Sequence, residues 1–375
     1  MTHGRTLMNT SSPAWPVPLD PPVFPAERYD RLADRIGALL RADDHDVALV
    51  PGEAVVALEA VAREVGGSGA RVLNVVTSVY GRYFGDWLRA GGASVVELEA
   101  VPGRPIEVSA VAESLSAGFD AIAFVHGEAA SGIVNPIREI LREARATGTV
   151  SIVDAVASVG AEPLDLSADA ADILVIGPQK ALGGPAALSA VAVNPRGWAS
   201  LARGGRAPRF SSLSLLDLRR DWLDTDRTIV PGTPHAHDLW ALEAALDRVE
   251  GEGIDAIVAR HRRAARATRA GIVALGLSPW VDDETLASGL VTGALVPDGI
   301  SRGVVVDLAQ LRFGAAIGVA APDVDGRLVR LSHIGPRAGF APVLAGVVAL
   351  GSAVADAGGV ADIGAGAQAV AEAYR

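Results

Sequence analysis

The chain of 375 residues contains no cysteine, so it has neither disulfides nor thiolate ligands for a metal. Its seven histidines are scattered, and none has the spacing of a zinc-binding HExxH helix. No apolar run approaches the roughly 18–20 residues that cross a bilayer, and residues 1–22 lack the apolar core of a secretion signal. A net charge of −11, without a basic cluster among aromatics, argues against nucleic-acid binding. Together these absences favour a soluble, cytoplasmic globular protein.

Lysine is almost absent as well. Of the 33 basic residues only Lys180 is a lysine, and all the others are arginine. Arginine cannot replace lysine where a neutral amine must attack a carbonyl, because the guanidinium stays protonated. Lys180 is therefore a candidate nucleophile, with chance survival of one lysine as the alternative.

Half of the residues are hydrophobic but only 5% are aromatic, and a core of small aliphatic side chains suits helices packed on a parallel sheet. Short apolar runs alternate with amphipathic stretches, which predicts βαβ units. The strand-like runs are 71–76, 93–99, 120–126, 150–155, 171–177 and 188–194, followed by 288–296 and 327–334. The helix-like stretches are 53–65, 136–148, 239–250, 253–275, 339–358 and 361–375. This pattern predicts an α/β fold with an N-terminal arm (1–25), a large domain with a mainly parallel sheet between helices (26–252) and a smaller C-terminal α+β domain (253–375).

Two polar residues follow neighbouring predicted strands. Asp154 ends the run VSIV, and Lys180 follows ADILVIG in the segment GPQKALGGP. Ligands of such sheets bind beyond the carboxyl ends of the strands. A carboxylate that keeps a pyridine ring protonated and an amine that holds an aldehyde are the groups that pyridoxal 5′-phosphate (PLP) requires. A turn cap at Asp154 or a buried Asp–Lys ion pair is the structural alternative.

Four segments resemble class-V aminotransferases of the fold-type I PLP superfamily, above all the alanine–glyoxylate and serine–pyruvate branch. They are VDAVASVGAEPLDLSADAADILVIGPQKALGGPAALSAVAV (153–193), FVHGEAASGIVNPI (124–137), TPHAHDLWALEAAL (233–246) and VRLSHIG (329–335). The resemblance implies a homodimer with active sites at the interface. It also implies transfer of an amino group between a small amino acid, such as alanine or serine, and a 2-oxo acid, such as glyoxylate or pyruvate.

The resemblance also implies a role for each matching residue. Lys180 is the expected Schiff-base lysine and Asp154 the partner of the ring nitrogen, while Arg330 is expected to bind the substrate carboxylate. Gln179 is expected near the ring hydroxyl or the phosphate of the cofactor, and Val156 and Tyr80 on the two faces of its ring. The phosphate cup is expected to contain Ala54 and Val55, and Thr233 is expected from the partner subunit.

The phosphate cup departs from the family pattern. Glu53, Ala54 and Val55 stand where the family has a Ser-Gly-Thr turn that cradles phosphate, and Ala129 and Val230 replace a hydroxyl and a tyrosine. Three explanations compete: a shifted loop, weak and exchanging binding as in a half-reaction with free pyridoxamine-like ligands, or another PLP reaction. A PLP-dependent lyase and a non-catalytic homologue are the alternatives to an aminotransferase.

Overall fold

The computed structural model describes residues 22–67, 69–204, 211–227, 230, 235–319 and 326–375. Seven strands form its larger sheet: β1 (Asp46–Pro51), β2 (Arg71–Val76), β3 (Ser94–Glu99), β4 (Ala121–Val125), β5 (Val150–Asp154), β6 (Ile173–Ile176) and β7 (Leu188–Val193). Their order is β1-β7-β6-β5-β4-β2-β3. The pairs from β3 to β6 are parallel, whereas β7 runs antiparallel to both β6 and β1. The predicted mainly parallel sheet is therefore confirmed.

Helices cover both faces of this sheet, because the strands are apolar on both sides. In β2, Leu73 and Val75 belong to one buried cluster and Val72 to another on the opposite face. The helices that precede or follow these strands are α1 (Ala26–Leu39), α2 (Ala54–Gly66), α3 (Val79–Gly91), α4 (Val108–Leu115), α5 (Ile137–Ala146), α6 (Leu166–Asp169), α7 (Pro195–Arg203), α8 (Leu215–Asp221) and α9 (Ala236–Glu252). In α5 the buried residues Ile137, Ile140, Leu141 and Ala144 follow the spacing of one helical face.

The remainder of the chain builds a second, antiparallel sheet with its own apolar cluster. Its strands, in the order β10-β11-β9-β8, are β8 (Ser278–Pro279), β9 (Val291–Leu295), β10 (Gly318–Val319) and β11 (Leu328–Ser332). The accompanying helices are α10 (Ile254–Ala274), α11 (Arg302–Phe313), α12 (Phe340–Asp356) and α13 (Ile363–Ala373). All the strand-like and helix-like segments of the sequence form the predicted type of element. The domain boundaries at 26, 252 and 253 stay a prediction, and most of the N-terminal arm lies outside the described residues.

The strand register decides where the polar strand ends meet. Val125, the last residue of β4, is paired with Asp154, which is in turn paired with Val175 of β6. The carboxyl ends of these three parallel strands therefore share one edge of the sheet, with Asp154 in the middle. Among the residues that the structure describes, no helix has the length and hydropathy of a membrane span.

Candidate active site

Asp154 presents a buried carboxylate at this edge of the sheet. The residue is only 6% exposed, and its Oδ1 accepts a hydrogen bond from the backbone N–H of Val156 at 3.0 Å. Burial raises the pKa of Asp154 to about 6, although the Val156 N–H and the Lys180 charge lower it. Such a carboxylate is stabilised in its ionised form by a cationic N–H donor, which a protonated ring nitrogen supplies.

Lys180 lies in the loop that follows β6, and it lines the same pocket as Asp154. Burial lowers the pKa of this half-buried amine, and the charge of Arg330 lowers it further, against the opposing charges of Glu53 and Asp154. A lowered pKa increases the share of neutral amine, the form that attacks a carbonyl or accepts a proton.

The pocket is small and its walls are mainly apolar. Its volume is about 140 Å³. Tyr80, in the first turn of α3, and Val156, in the turn after β5, both line it. The sequence-predicted residues that the fold brings together around this pocket are Lys180, Asp154, Tyr80, Val156, Ala54 and Val55. An aromatic ring and an aliphatic side chain beside an amine and a carboxylate suit a flat, electron-poor ring.

One end of the pocket is occupied by Glu53, the N-cap of α2. Its Oε2 accepts the N–H of Val55 at 2.9 Å, and its Oε1 accepts a hydrogen bond from Gln179 Nε2 at 2.5 Å. Gln179 is adjacent to Lys180 but does not line the pocket; it reaches the pocket's end through Glu53. The carboxylate therefore uses one of the helix N-terminal N–H groups that bind phosphate in other proteins.

Arg330 approaches from the second sheet, in β11. Its Nη1 donates to the carbonyl oxygen of Ala129 at 2.6 Å, which fixes the guanidinium beside the pocket wall. Gly318 is paired with Arg330 and leaves room for it, because a Cβ at this position would lie 2.8 Å from Arg330 Nε. The guanidinium keeps further donors with which to bind a carboxylate.

Sequence reasoning missed Glu128, a fully buried carboxylate under the site. It accepts hydrogen bonds from the hydroxyls of Thr77 and Ser78, and Ser78 caps the helix that carries Tyr80. Asn135 extends this network by donating to Thr77 Oγ1 at 2.9 Å. The signal lies in the HGE segment, where Glu128 follows the end of a buried strand within the stretch that resembles the family.

Two residues named in the sequence analysis give no direct information about the pocket. Thr233 lies outside the described residues. Val230 is half-buried and packs against the larger apolar cluster, and it is not among the residues that line the pocket.

Comparison with known proteins places this site in a family. The model of the class-V aminotransferases matches residues 27–292. The chain belongs to the class-V aminotransferases. It is 34% identical to pyridoxamine–pyruvate transaminase of Mesorhizobium japonicum, over 98% of this chain and 90% of the relative. It is 27% identical to serine–glyoxylate aminotransferase of Methylorubrum extorquens, over 71% of this chain and 68% of the relative.

A solved structure agrees with the sequence relatives. The crystal structure of pyridoxamine–pyruvate aminotransferase from Mesorhizobium loti superposes with a TM-score of 0.88 at 33% identity, covering 93% of this chain and 89% of that one. This class-V aminotransferase therefore has the PLP-dependent fold type I and transfers an amino group between an amino acid and a 2-oxo acid. The predicted family, fold and aminotransferase activity are confirmed, and PLP is confirmed as the cofactor that this family uses.

The residues that line the pocket of this aminotransferase suit the ring of PLP better than its phosphate. Lys180 suits the aldehyde and Asp154 suits the ring nitrogen. The two faces of the ring suit Tyr80 and Val156. At the other end the described residues offer the carboxylate of Glu53 and the apolar side chains of Val55 and Ala129, in place of hydroxyls. A carboxylate repels a phosphate dianion. The described residues thus fit the ring but not the phosphate.

Proposed function

We propose that this aminotransferase takes the unphosphorylated ring compound pyridoxamine as its amino donor and a small 2-oxo acid such as pyruvate as its acceptor. The observation that carries the proposal is the position of Glu53, held by Val55 and Gln179 at the pocket end where a phosphate belongs. The similarity to a pyridoxamine–pyruvate transaminase along nearly the whole chain supports the same conclusion.

The chemistry of the two ring compounds explains the preference. Pyridoxamine and pyridoxal carry a hydroxymethyl group where the phosphorylated forms carry a phosphate ester. A hydroxyl donates a hydrogen bond to a carboxylate, and such charge-assisted bonds are stronger than neutral ones. A phosphate at the same place brings two further negative charges against Glu53. The same side chain therefore favours one form and disfavours the other.

The reaction is a balanced exchange. The amino group of pyridoxamine moves to C2 of the 2-oxo acid, and the carbonyl oxygen of the acid leaves as water, while a second water supplies the oxygen of the pyridoxal aldehyde. The amine carbon is oxidised and C2 is reduced by two electrons. With pyruvate the amino acid product is alanine, one of the small amino acids expected from the sequence.

We assign the steps to residues on the same basis. Arg330 binds the carboxylate of the 2-oxo acid and Asp154 holds the ring nitrogen protonated, which lets the ring accept electrons. Lys180, as a neutral amine, removes a proton from the amine-bearing carbon and returns it to C2. Tyr80 and Val156 hold the ring between them and exclude water from its faces.

The decisive experiment compares donors. Purified protein is mixed with pyruvate and either pyridoxamine or pyridoxamine 5′-phosphate, and alanine is quantified. We expect pyridoxamine to be the better donor by at least tenfold in kcat/KM, and Lys180→Ala to be inactive. Equal or faster turnover of the phosphorylated donor would contradict the proposal.

The single lysine allows a second test that needs no turnover. Borohydride reduction of the protein with bound pyridoxal should add one pyridoxyl group, and an endoproteinase specific for lysine should then no longer cut after residue 180. Labelling without transamination would point to the non-catalytic homologue, and release of ammonia would point to a lyase.

We further propose that the enzyme is a cytoplasmic homodimer with domains at 26–252 and 253–375. The resemblance that assigns Thr233 to the partner subunit supports the dimer. Light scattering of the purified protein tests it, and a monomer with full activity would contradict it.

A further inference from the structure

Two turns that flank the pocket touch each other through glycines. Gly183 lies three residues after Lys180, and its N–H donates to the carbonyl oxygen of Lys180 at 3.0 Å. Gly335 lies five residues after Arg330. A Cβ on Gly335 would lie only 3.2 Å from Gly183 Cα and 3.6 Å from the carbonyl oxygen of Lys180. The turn of the lysine and the turn beyond the arginine are therefore in backbone contact.

The backbone conformation makes both glycines special. Gly183 has a φ of +66° and Gly335 a φ of +52°, in the left-handed region that residues with a Cβ adopt at a cost. Both the conformation and the contact favour the absence of a side chain. A larger residue at Gly335 would separate the two turns.

An arginine from each of two successive helices holds these turns. Arg248 of α9 donates to the carbonyl oxygen of Gly183 at 2.9 Å, and Arg260 of α10 donates to that of Gly335 at 2.8 Å. Arg260 is itself fixed by a bidentate pair with Glu252. These bonds join segments far apart in the chain, since Arg260 and Gly335 are separated by 75 residues.

We propose that Arg260 is a positioning residue: it holds the Gly335 turn against Gly183 and so fixes the separation between the Lys180 amine and the Arg330 guanidinium. The inference rests on the roles proposed above for Lys180 and Arg330. Arg260 touches neither substrate nor ring and acts through the two turns. Loss of the Arg260 side chain lets the Gly335 turn and Arg330 move, so we expect the KM for the 2-oxo acid to change more than kcat.

The test uses two changes that reach the junction by different routes, each with a matched control. Arg260→Gln removes the bond to Gly335, and Arg263→Gln makes the same charge change at an exposed position of the same helix. Gly335→Ala inserts a methyl group into the contact. The control Gly314→Ala adds a methyl group at a similar φ of +62°, but in open space with no atom within 4 Å.

Steady-state kinetics with pyridoxamine and pyruvate provide the readout. We expect Arg260→Gln and Gly335→Ala each to raise the KM for pyruvate about tenfold, as loss of a charge-assisted hydrogen bond does, with a smaller change in kcat. Arg260→Lys should restore part of the loss, and both controls should match the wild type. An unchanged KM in either test variant, or an equal rise in its control, would overturn the inference, provided that circular dichroism shows folded proteins.

Hydrogen exchange separates this inference from the proposed function. If the wild type does not transfer nitrogen from pyridoxamine to pyruvate, the proposed function fails, and the positioning role is then judged on the substrate-free protein. Faster exchange of the Gly183 and Gly184 amides in Arg260→Gln than in Arg263→Gln supports it, because these amides close the lysine turn. Identical exchange refutes it.

Discussion

Replacing Glu53 by glutamine tests the origin of the proposed donor preference. The substitution keeps the size of the side chain and its acceptor for the Val55 N–H, but removes the negative charge. Glu53 cannot swing away in the wild type without leaving both Val55 and Gln179, so its charge stays at the end of the pocket. The change therefore isolates electrostatics from shape.

The size of the effect follows from the charges. A single charge and a dianion about 5 Å apart repel each other by about 1.7 kcal/mol in water and by about 7 kcal/mol at an effective dielectric of about 20. Glu53 is exposed in the free protein, so the lower value applies, which corresponds to about 20-fold tighter PLP binding in Glu53→Gln. Loss of the charge-assisted bond to the hydroxymethyl group should weaken pyridoxal about fivefold. The ratio of the two affinities should shift by about 100-fold.

Absorbance titrations of the purified variants with pyridoxal and with PLP measure both affinities. Glu59→Gln is the matched control, since Glu59 lies in the same helix but pairs with Arg63 away from the pocket. A ratio that moves by less than about threefold in Glu53→Gln, or as much in Glu59→Gln, would show that the charge of Glu53 does not set the preference.

Three further predictions concern stability and substrate binding. Burial raises the pKa of Glu64 to about 7 from 4.5, so the folded protein retains a proton that the unfolded chain has released between these pH values. Raising the pH through this window should therefore lower the free energy of unfolding by about 3 kcal/mol. Denaturant titrations of Glu64→Gln should show no such loss, and equal pH profiles of the variant and the wild type would contradict the prediction. Asp172 is buried and accepts three hydrogen bonds, from β5 and from the turn after β7, so Asp172→Ala should lower the free energy of unfolding by about 3 kcal/mol. A loss below about 1 kcal/mol in urea unfolding would refute that reasoning. Gly318→Ala should displace Arg330 and raise the KM for pyruvate about fivefold, whereas Gly303→Ala, with no atom closer than 3.7 Å, should not.

Most strands and helices of the larger sheet region were predictable from the sequence, because they depend on local periodicity of apolar residues. The runs at 71–76 and 150–155 contain buried strands. The predicted helix at 253–275 differs from the observed α10 by one residue at each end. The elements that the prediction did not name include α1, α11 and the short strands β8 and β10. The two strands have two residues each, too few to show a period.

The candidate site was predictable to the extent that its chemistry needs rare residue types. Lys180 is the only lysine, and Asp154 ends a buried strand, so both could be recognised without coordinates. The charge of Glu53 in the phosphate cup was visible too. Its two hydrogen-bond donors were not, since Gln179 lies 126 residues away along the chain.

The sequence by itself determined which chemistry is available: one amine, a carboxylate at a strand end, and a phosphate cup without hydroxyls. Only the tertiary structure decided how these groups are combined. It brought Arg330 to the carbonyl of Ala129 across 201 residues and placed Gly335 on Gly183. Periodicity and residue type act over a few positions, whereas these contacts depend on how two sheets and their helices pack, which no local pattern specifies.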